Sequence, residues 1–348
     1  MRMSFADPSP RWARWVVLLL IALLIAAPFF LASFHVRILQ QIFLFGGMAV
    51  AWGLLGGFTT YWSFGHAGFV GLGAFAAGLI ELQLDPAMAP AARMGIGIAS
   101  AALVSAAVAV LVALPMLRLR GIYFAIGMLA FAEILAEATK AFSVLQGSMG
   151  FMLPNVTLFG LNKAQTFYYL FLALLVVNGL IFTLIRRARL GAGLVCIGQD
   201  EDTAAMMGIP IERYKLLAFV LSAVLTAIGG ALFAHSLGFV TSASVFRTEI
   251  SLNLILYSML GGIGTLAGPI IGAAIMIVLT QIVLGNLLDM HMLLTGLVFI
   301  VIVIAAPGGI VGLVRDGVTS FRRTASRQAV GGDAGADTPR VAPEGAPR

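Results

Sequence analysis

The 348-residue sequence is 60% hydrophobic and 10% charged, with a mean hydropathy of +1.03 and a formal net charge of +6. A soluble domain carries about 25% charged residues, so this chain could not cover its own surface in water. Apolar runs of about 20 residues, enough to cross ~30 Å of hydrocarbon as helix, define an all-α integral membrane protein. The runs lack period-two alternation, which excludes an outer-membrane barrel, and no basic stripe interleaved with aromatics points to nucleic acid.

Arg2, Arg11 and Arg14 lie in an N-tail, residues 1–14, ahead of the apolar stretch Trp15–Phe34. The pattern imitates a secretory signal, but the stretch exceeds the roughly 7–15 residues of a cleavable apolar region and is read as the first span. Further spans are expected over Ile38–Gly57, His66–Leu82, Ile96–Met116, Gly121–Thr139 and Phe167–Ile185. Beyond a polar interval come Leu216–Gly238, Ile250–Leu260, Ile270–Gly285 and Met292–Val314. The membrane domain is thus 15–314, with ten spans and both termini on the cytoplasmic side. That arrangement puts 16 of the 21 Lys and Arg residues inside, leaving Arg37, Arg93, Lys140, Lys163 and Arg247 outside, as the positive-inside rule requires. The tail, residues 315–348, has almost no large apolar residue past Phe321 and is expected to stay disordered.

Three glycine-rich stretches stand out, at Ser63–Phe75 (with Gly65 and His66), Arg120–Ile126 (with Tyr123 and Phe124) and Gly261–Ala273 (with Gly262, Gly264, Thr265 and Pro269). Interrupted helices at membrane depth are tolerated only inside protein or along a water-filled path. The first and third occupy comparable places in the two halves, as an inverted repeat with a pathway between halves would place them. The alternative is close helix packing through small residues. His66 either lines such a path or caps a helix against a backbone carbonyl. Glu133 and Glu137 share one face of the fifth span; a carboxylate in the bilayer is costly, so they either couple to protons or, near the outer end, pair with Lys140. Arg118 and Arg120 are read as interfacial anchors.

The interval Arg186–Lys215 is the most charged stretch between spans, with nine charged residues. Asp200, Glu201 and Asp202 precede Thr203–Gly208, as acids do in the first turn of a helix whose dipole they complement. Gly208 and Pro210 should end it. The product is a short cytoplasmic helix with Met206 and Met207 available to a groove on another protein. No Gly-Lys dipeptide occurs, so the chain holds no Walker A loop. No paired cysteines or H-E-x-x-H suggest a metal, and Cys196 is the lone cysteine.

Taken in order, these segments resemble the LivM-type permease of bacterial branched-chain amino acid ABC importers. SFGHAGFVGLGAF at Ser63–Phe75, R-G-x-Y-F-A at Arg120–Ala125 and G-G-x-G-T-x-x-G-P-x-x-G-A at Gly261–Ala273 follow the family's patterns. The loop Arg189–Phe219 keeps Gly191, Asp200, Glu201, Asp202, Ala204, Ala205, Gly208, Ile209, Tyr214, Lys215 and Phe219. Gly198 and Gln199 stand where the family carries charge, and Gln146–Gly150 is a reduced form of its glycine loop. The resemblance covers roughly Ile38–Val314. It implies a non-enzymatic subunit in the bacterial inner membrane with no cofactor of its own, ATP being held by partner subunits. The implied partners are a homologous permease in a heterodimer, two cytoplasmic ATP-binding subunits and an extracytoplasmic solute-binding protein. The implied coupling helix is Asp200–Ile209. Within the family the cargo could instead be urea, amides or other small organic solutes. An ion-coupled secondary transporter and a channel are the other classes the composition allows.

Overall fold

The computed structural model describes residues 24–142, 145, 148–158, 160–283 and 296. A helix over 24–30, α1, leads into α2 (Ser33–Gly53), the single turn α3 (Gly56–Thr59), α4 (His66–Gln83), α5 (Pro90–Met116) and α6 (Ile122–Ala141). After strand β1 (Phe151–Met152) come α7 (Lys163–Arg187), α8 (Arg189–Gln199), α9 (Glu201–Met206) and α10 (Ile211–Leu237). Strand β2 (Phe239–Val240), α11 (Ser242–Val245), α12 (Thr248–Gly261) and α13 (Ala267–Val278) follow, and α13 runs into a π-helical turn, Leu279–Val283. Five of these helices, α2, α5, α6, α7 and α10, are long and apolar enough to cross a membrane.

The helices are apolar on their outer faces as well as their inner ones. Leu103 and Leu111 on α5, Ile134 on α6 and Leu180 on α7 are all exposed. A helix hydrophobic all round suits a bilayer and not water. Inside, the contacts fix direction. Gly47 of α2 abuts Leu175 of α7 and Gly53 abuts Phe182, so these two helices run parallel. His66, Gly73 and Glu81 of α4 meet Ser222, Ala227 and His235 of α10, which therefore also run together. A Cβ on Gly73 would strike the Ala227 carbonyl, and one on Gly230 the Val70 carbonyl. Backbones this close are possible only with small residues at the crossing.

At the far end of that crossing sits a buried polar tie. His235 Nε2 and Glu81 Oε1 are 2.6 Å apart with both side chains fully buried, and His235 Nδ1 donates to the Ala231 carbonyl at 2.7 Å. Arg93 of α5 donates to the Glu81 carbonyl at 2.6 Å, drawing a third helix into the same joint.

Helices occupy the expected spans between Ile38 and Leu260 with ends shifted by a few residues, α4 and α12 not being among the five long and apolar enough to cross a membrane, and α13 with its π-turn occupies most of Ile270–Gly285. Of Trp15–Phe34 only the end lies among the described residues, where a break at Leu31–Ala32 separates α1 from α2. The N-tail, all but Gly296 of Met292–Val314, and the C-tail lie outside them. One departure from an all-α fold is the short antiparallel ribbon β1–β2, pairing Phe151 with Val240. It forms because Gly238, in a left-handed conformation at φ 80°, turns the chain sharply off the end of α10.

The cations divide between the two ends of the bundle. Arg120 lies against the charged interval, bonded to Glu201 and Asp202. Lys140 and Arg247 line one cleft at the opposite end, and Lys163 lies beside Gly238 there.

Candidate functional site

The charged interval is ordered. α8 packs through buried Gly191, Gly193, Leu194 and Ile197, and a Cβ on Gly198 would strike the Phe58 carbonyl. Low helix propensity at these glycines hides α8 from sequence reading; Gly191, Gly193 and Gly198 let it sit directly on the end of α7, on Tyr214 and on α3. The expected short helix follows as α9. Asp200 is its N-cap, accepting from the Thr203 amide at 2.6 Å, and hydrogen bonding with the Thr203 side chain, then with its amide, holds the Asp200 carboxyl below its ordinary pKa. Ala204 is buried, Gly208 takes φ +77°, and the Ile209 amide donates to the Ala204 carbonyl at 3.1 Å. Helix and turn leave Ala205, Met206 and Met207 outward, the two methionines 88% and 69% exposed.

The acids face two ways. Asp202 is exposed, whereas Glu201 turns inward. Lys215, at the first turn of α10 and only 4% exposed, donates to Glu201 Oε1 at 2.6 Å and to Tyr61 Oη at 2.8 Å. Tyr61 donates to the same Oε1 at 2.6 Å, and the Lys215 ammonium lies 4.3 Å from the Tyr61 ring centroid. Arg120 Nε closes the group 3.2 Å from Glu201 Oε2. Burial opposes the Glu201 charge, but the hydrogen bonds from Lys215 and Tyr61 and the nearby cations outweigh it and hold its pKa below the usual carboxylate value. Burial, then the bond to Glu201, raises the Tyr61 phenol above its ordinary value. Arg120 is therefore an ion-pair partner of the loop and not a lone interfacial anchor.

Tyr61 belongs to the irregular segment between α3 and α4, and the polar chain continues through it. Thr60 holds a left-handed φ of 58°. Trp52 donates to the Ser63 carbonyl at 3.0 Å. His66 is fully buried, with Nδ1 3.0 Å from Ser63 Oγ and Nε2 2.7 Å from Ser222 Oγ. Ser222 gives its proton to the Ala51 carbonyl at 2.7 Å, so a neutral His66 donates from Nε2 and accepts from Ser63 at Nδ1. The imidazole thus joins α4 to α10 through side chains.

The other glycine-stretch residues are mostly packed. Gly65 sits against Met128, and Phe124 is fully buried, while Tyr123 is 71% exposed. Gly261, Gly262 and Pro269 are buried, and Gly264 and Thr265 half-buried. Thr265 donates to the Gly262 carbonyl and accepts from the Gly268 amide, closing the α12–α13 turn. A Cβ on Gly261 would land on the Gly268 carbonyl oxygen, and Gly57 touches the backbone of Gly264. The third stretch therefore packs against α3, close to the charged end. On α6, Glu137 pairs with Lys140 at 2.6 Å, while Glu133 accepts from Thr248 at 2.5 Å.

Sequence reading singled out Asp200–Ile209 but not Tyr61, nor the inward role of Lys215. The available signal was a lysine opening an apolar helix downstream of an acidic triplet. Glu81 and His235, 154 positions apart, carry no local signal. Among the described residues no group of three or more His, Cys, Asp or Glu could hold a metal ion.

A sequence model described as "Branched-chain amino acid transport system / permease component" matches residues 34–303. The chain is 28% identical over 340 residues to the high-affinity branched-chain amino acid transport system permease protein LivM of Salmonella typhimurium, covering 89% of this chain and 77% of the relative. It is 28% identical over 332 residues to the LivM protein of Escherichia coli K12, covering 86% and 75%. A shorter match, 33% identical over 109 residues and about a third of each chain, is to the autoinducer 2 import system permease protein LsrC of Klebsiella pneumoniae. No solved structure matches.

Proposed function

The chain belongs to the family of branched-chain amino acid transport permeases, and on that premise we propose that it is the membrane gate of an ATP-driven importer for branched-chain or other hydrophobic amino acids. It is a multi-pass inner-membrane permease subunit of an ABC-type transport system. In our reading it pairs with a homologous permease, receives substrate from an extracytoplasmic binding protein and is driven by two cytoplasmic ATP-binding subunits. The end carrying Arg120 and the interval 186–215 faces the cytoplasm, a direction supported by the separation of cations between the two ends.

The observation that carries the reading is the two-sidedness of α9. Its outer face presents Met206 and Met207, adaptable side chains suited to a groove on a partner. Its inner face is bonded through Glu201 to Lys215 on α10 and to Tyr61 on the segment leading into α4. A partner that displaces α9 therefore pulls on both helices of the glycine-paved α4–α10 crossing. Closing of the ATP-binding subunits would rock these helices and alternate access to the path. The same arrangement serves other small solutes, since a gate worked in this way is indifferent to cargo.

Proteoliposomes containing this chain, its sister permease, the ATP-binding subunits and the binding protein should accumulate L-leucine only with ATP on the side of the ATP-binding subunits. Accumulation by this chain alone, driven by a proton or sodium gradient, would replace the proposal with an ion-coupled carrier.

A further inference from the structure

Glu133 occupies an unusual place. It is 11 residues into the 20-residue α6, so its carboxylate lies about 16 Å from one end of the helix and ~12 Å from the other. It is nonetheless exposed. Its one hydrogen bond is from the Thr248 hydroxyl, and among the described residues no Lys or Arg lies within ion-pair distance. A carboxylate at that depth is too costly to leave facing lipid. The side chain must look into a wet space.

That space exists. Glu133 and Thr248 line a cleft of about 210 Å³ together with Lys140 and Arg247, with Ala136 and Phe246 among its apolar lining. Lys140 and Arg247 are held by Glu137 and Glu249 in exposed pairs. Pairs so exposed are weakly held, because water screens them, and leave the cations open to another anion. One cleft therefore offers an anion with no resident cation among the described residues, two loosely held cations and a small apolar floor at Ala136 and Phe246.

We propose that this cleft is the site where the permease receives a zwitterionic amino acid. The ammonium is taken by Glu133 and Thr248, the carboxylate by Lys140 and Arg247, and the side chain lies against Phe246 and Ala136. The assignment rests on the importer reading above and adds a residue that selects for the amino group. A few convergent polar groups are what fix the orientation of a small ligand.

The test is uptake of radiolabelled L-leucine by the complete reconstituted complex, at matched amounts of permease. Glu133→Gln should lower uptake at least tenfold, Glu133→Asp should restore it to within about threefold of wild type, and Asp85→Asn, which removes an exposed carboxylate that neither lines the cleft nor pairs with its cations, should stay within twofold. In a Cys196→Ser background, Glu133→Cys should react with a membrane-impermeant thiol reagent, and leucine-loaded binding protein should slow the reaction. Wild-type uptake with an unaffected Glu133→Gln, or no labelling at position 133, overturns the site alone. A wild-type complex that imports no leucine with ATP overturns the importer reading and the site with it.

Discussion

Glu201 and Lys215 meet at 2.6 Å on the inner face of α9, and both side chains are largely withdrawn from solvent. The contact makes the acidic triplet something other than a uniformly charged surface. One acid, Asp200, caps the helix; one, Asp202, faces out; and one anchors the helix to the membrane domain.

Removing one partner of such a pair leaves the other buried without its charge partner. Glu201→Gln should cost about 2–3 kcal/mol of stability in detergent. Arg120→Ala, at the exposed rim of the same group, should cost less than about 1 kcal/mol. Thermal unfolding of the two variants beside wild type measures both.

The same group predicts a pH dependence. Glu201 has a folded pKa below its unfolded value, so its contribution is full above about pH 4.3 and is lost as pH falls through the lower folded value. Tyr61 has a folded pKa above its unfolded value, so its contribution is full below about pH 10 and is lost as pH rises through the folded value. Melting temperature followed from pH 3 to 11 should lose part of its acid limb in Glu201→Gln and part of its alkaline limb in Tyr61→Phe.

The buried joint at the other end distinguishes isostere from cavity. A Gln at position 81 can still donate to His235 Nε2, so Glu81→Gln should stay within about 1.5 kcal/mol of wild type. Glu81→Ala strands His235 and should cost about 3 kcal/mol or more. Denaturant titration in mixed micelles checks the pair.

The glycines separate into two kinds. Gly95 in α5 has open space around it, so Gly95→Ala should be neutral or stabilise by up to about 1 kcal/mol. Gly261→Ala would set a methyl on the Gly268 carbonyl and should prevent the α12–α13 turn from closing. Yield of monodisperse protein after extraction should be unchanged for the first and sharply reduced for the second.

Membrane crossings were legible because hydrocarbon imposes a length and a composition on every span, and Gly121–Thr139 differs from the observed Ile122–Ala141 only at its ends. α9 was legible because its cap, acids and terminating glycine all act within one turn. What escaped was set by tertiary contact. α8 is a helix despite three glycines, because those glycines are where the end of α7, Tyr214 and α3 press against it. Tyr61 gains its role only when the fold brings it to a carboxylate 140 positions away. The pathway candidates Ser63 and His66 read as polar residues near a break, and the break proved to be filled by Ser222 from another helix.

The central claim is that α9 is the face gripped by an ATP-binding partner. Its most direct test is cysteine cross-linking from Met206→Cys, in a Cys196→Ser background, within the membrane-embedded complex. The account predicts a cross-link to the ATP-binding subunit whose yield changes when ATP is bound. It would be contradicted by position 206 reacting instead with impermeant reagents applied from the extracytoplasmic side, or by full ATP-driven uptake with no cross-link to that subunit.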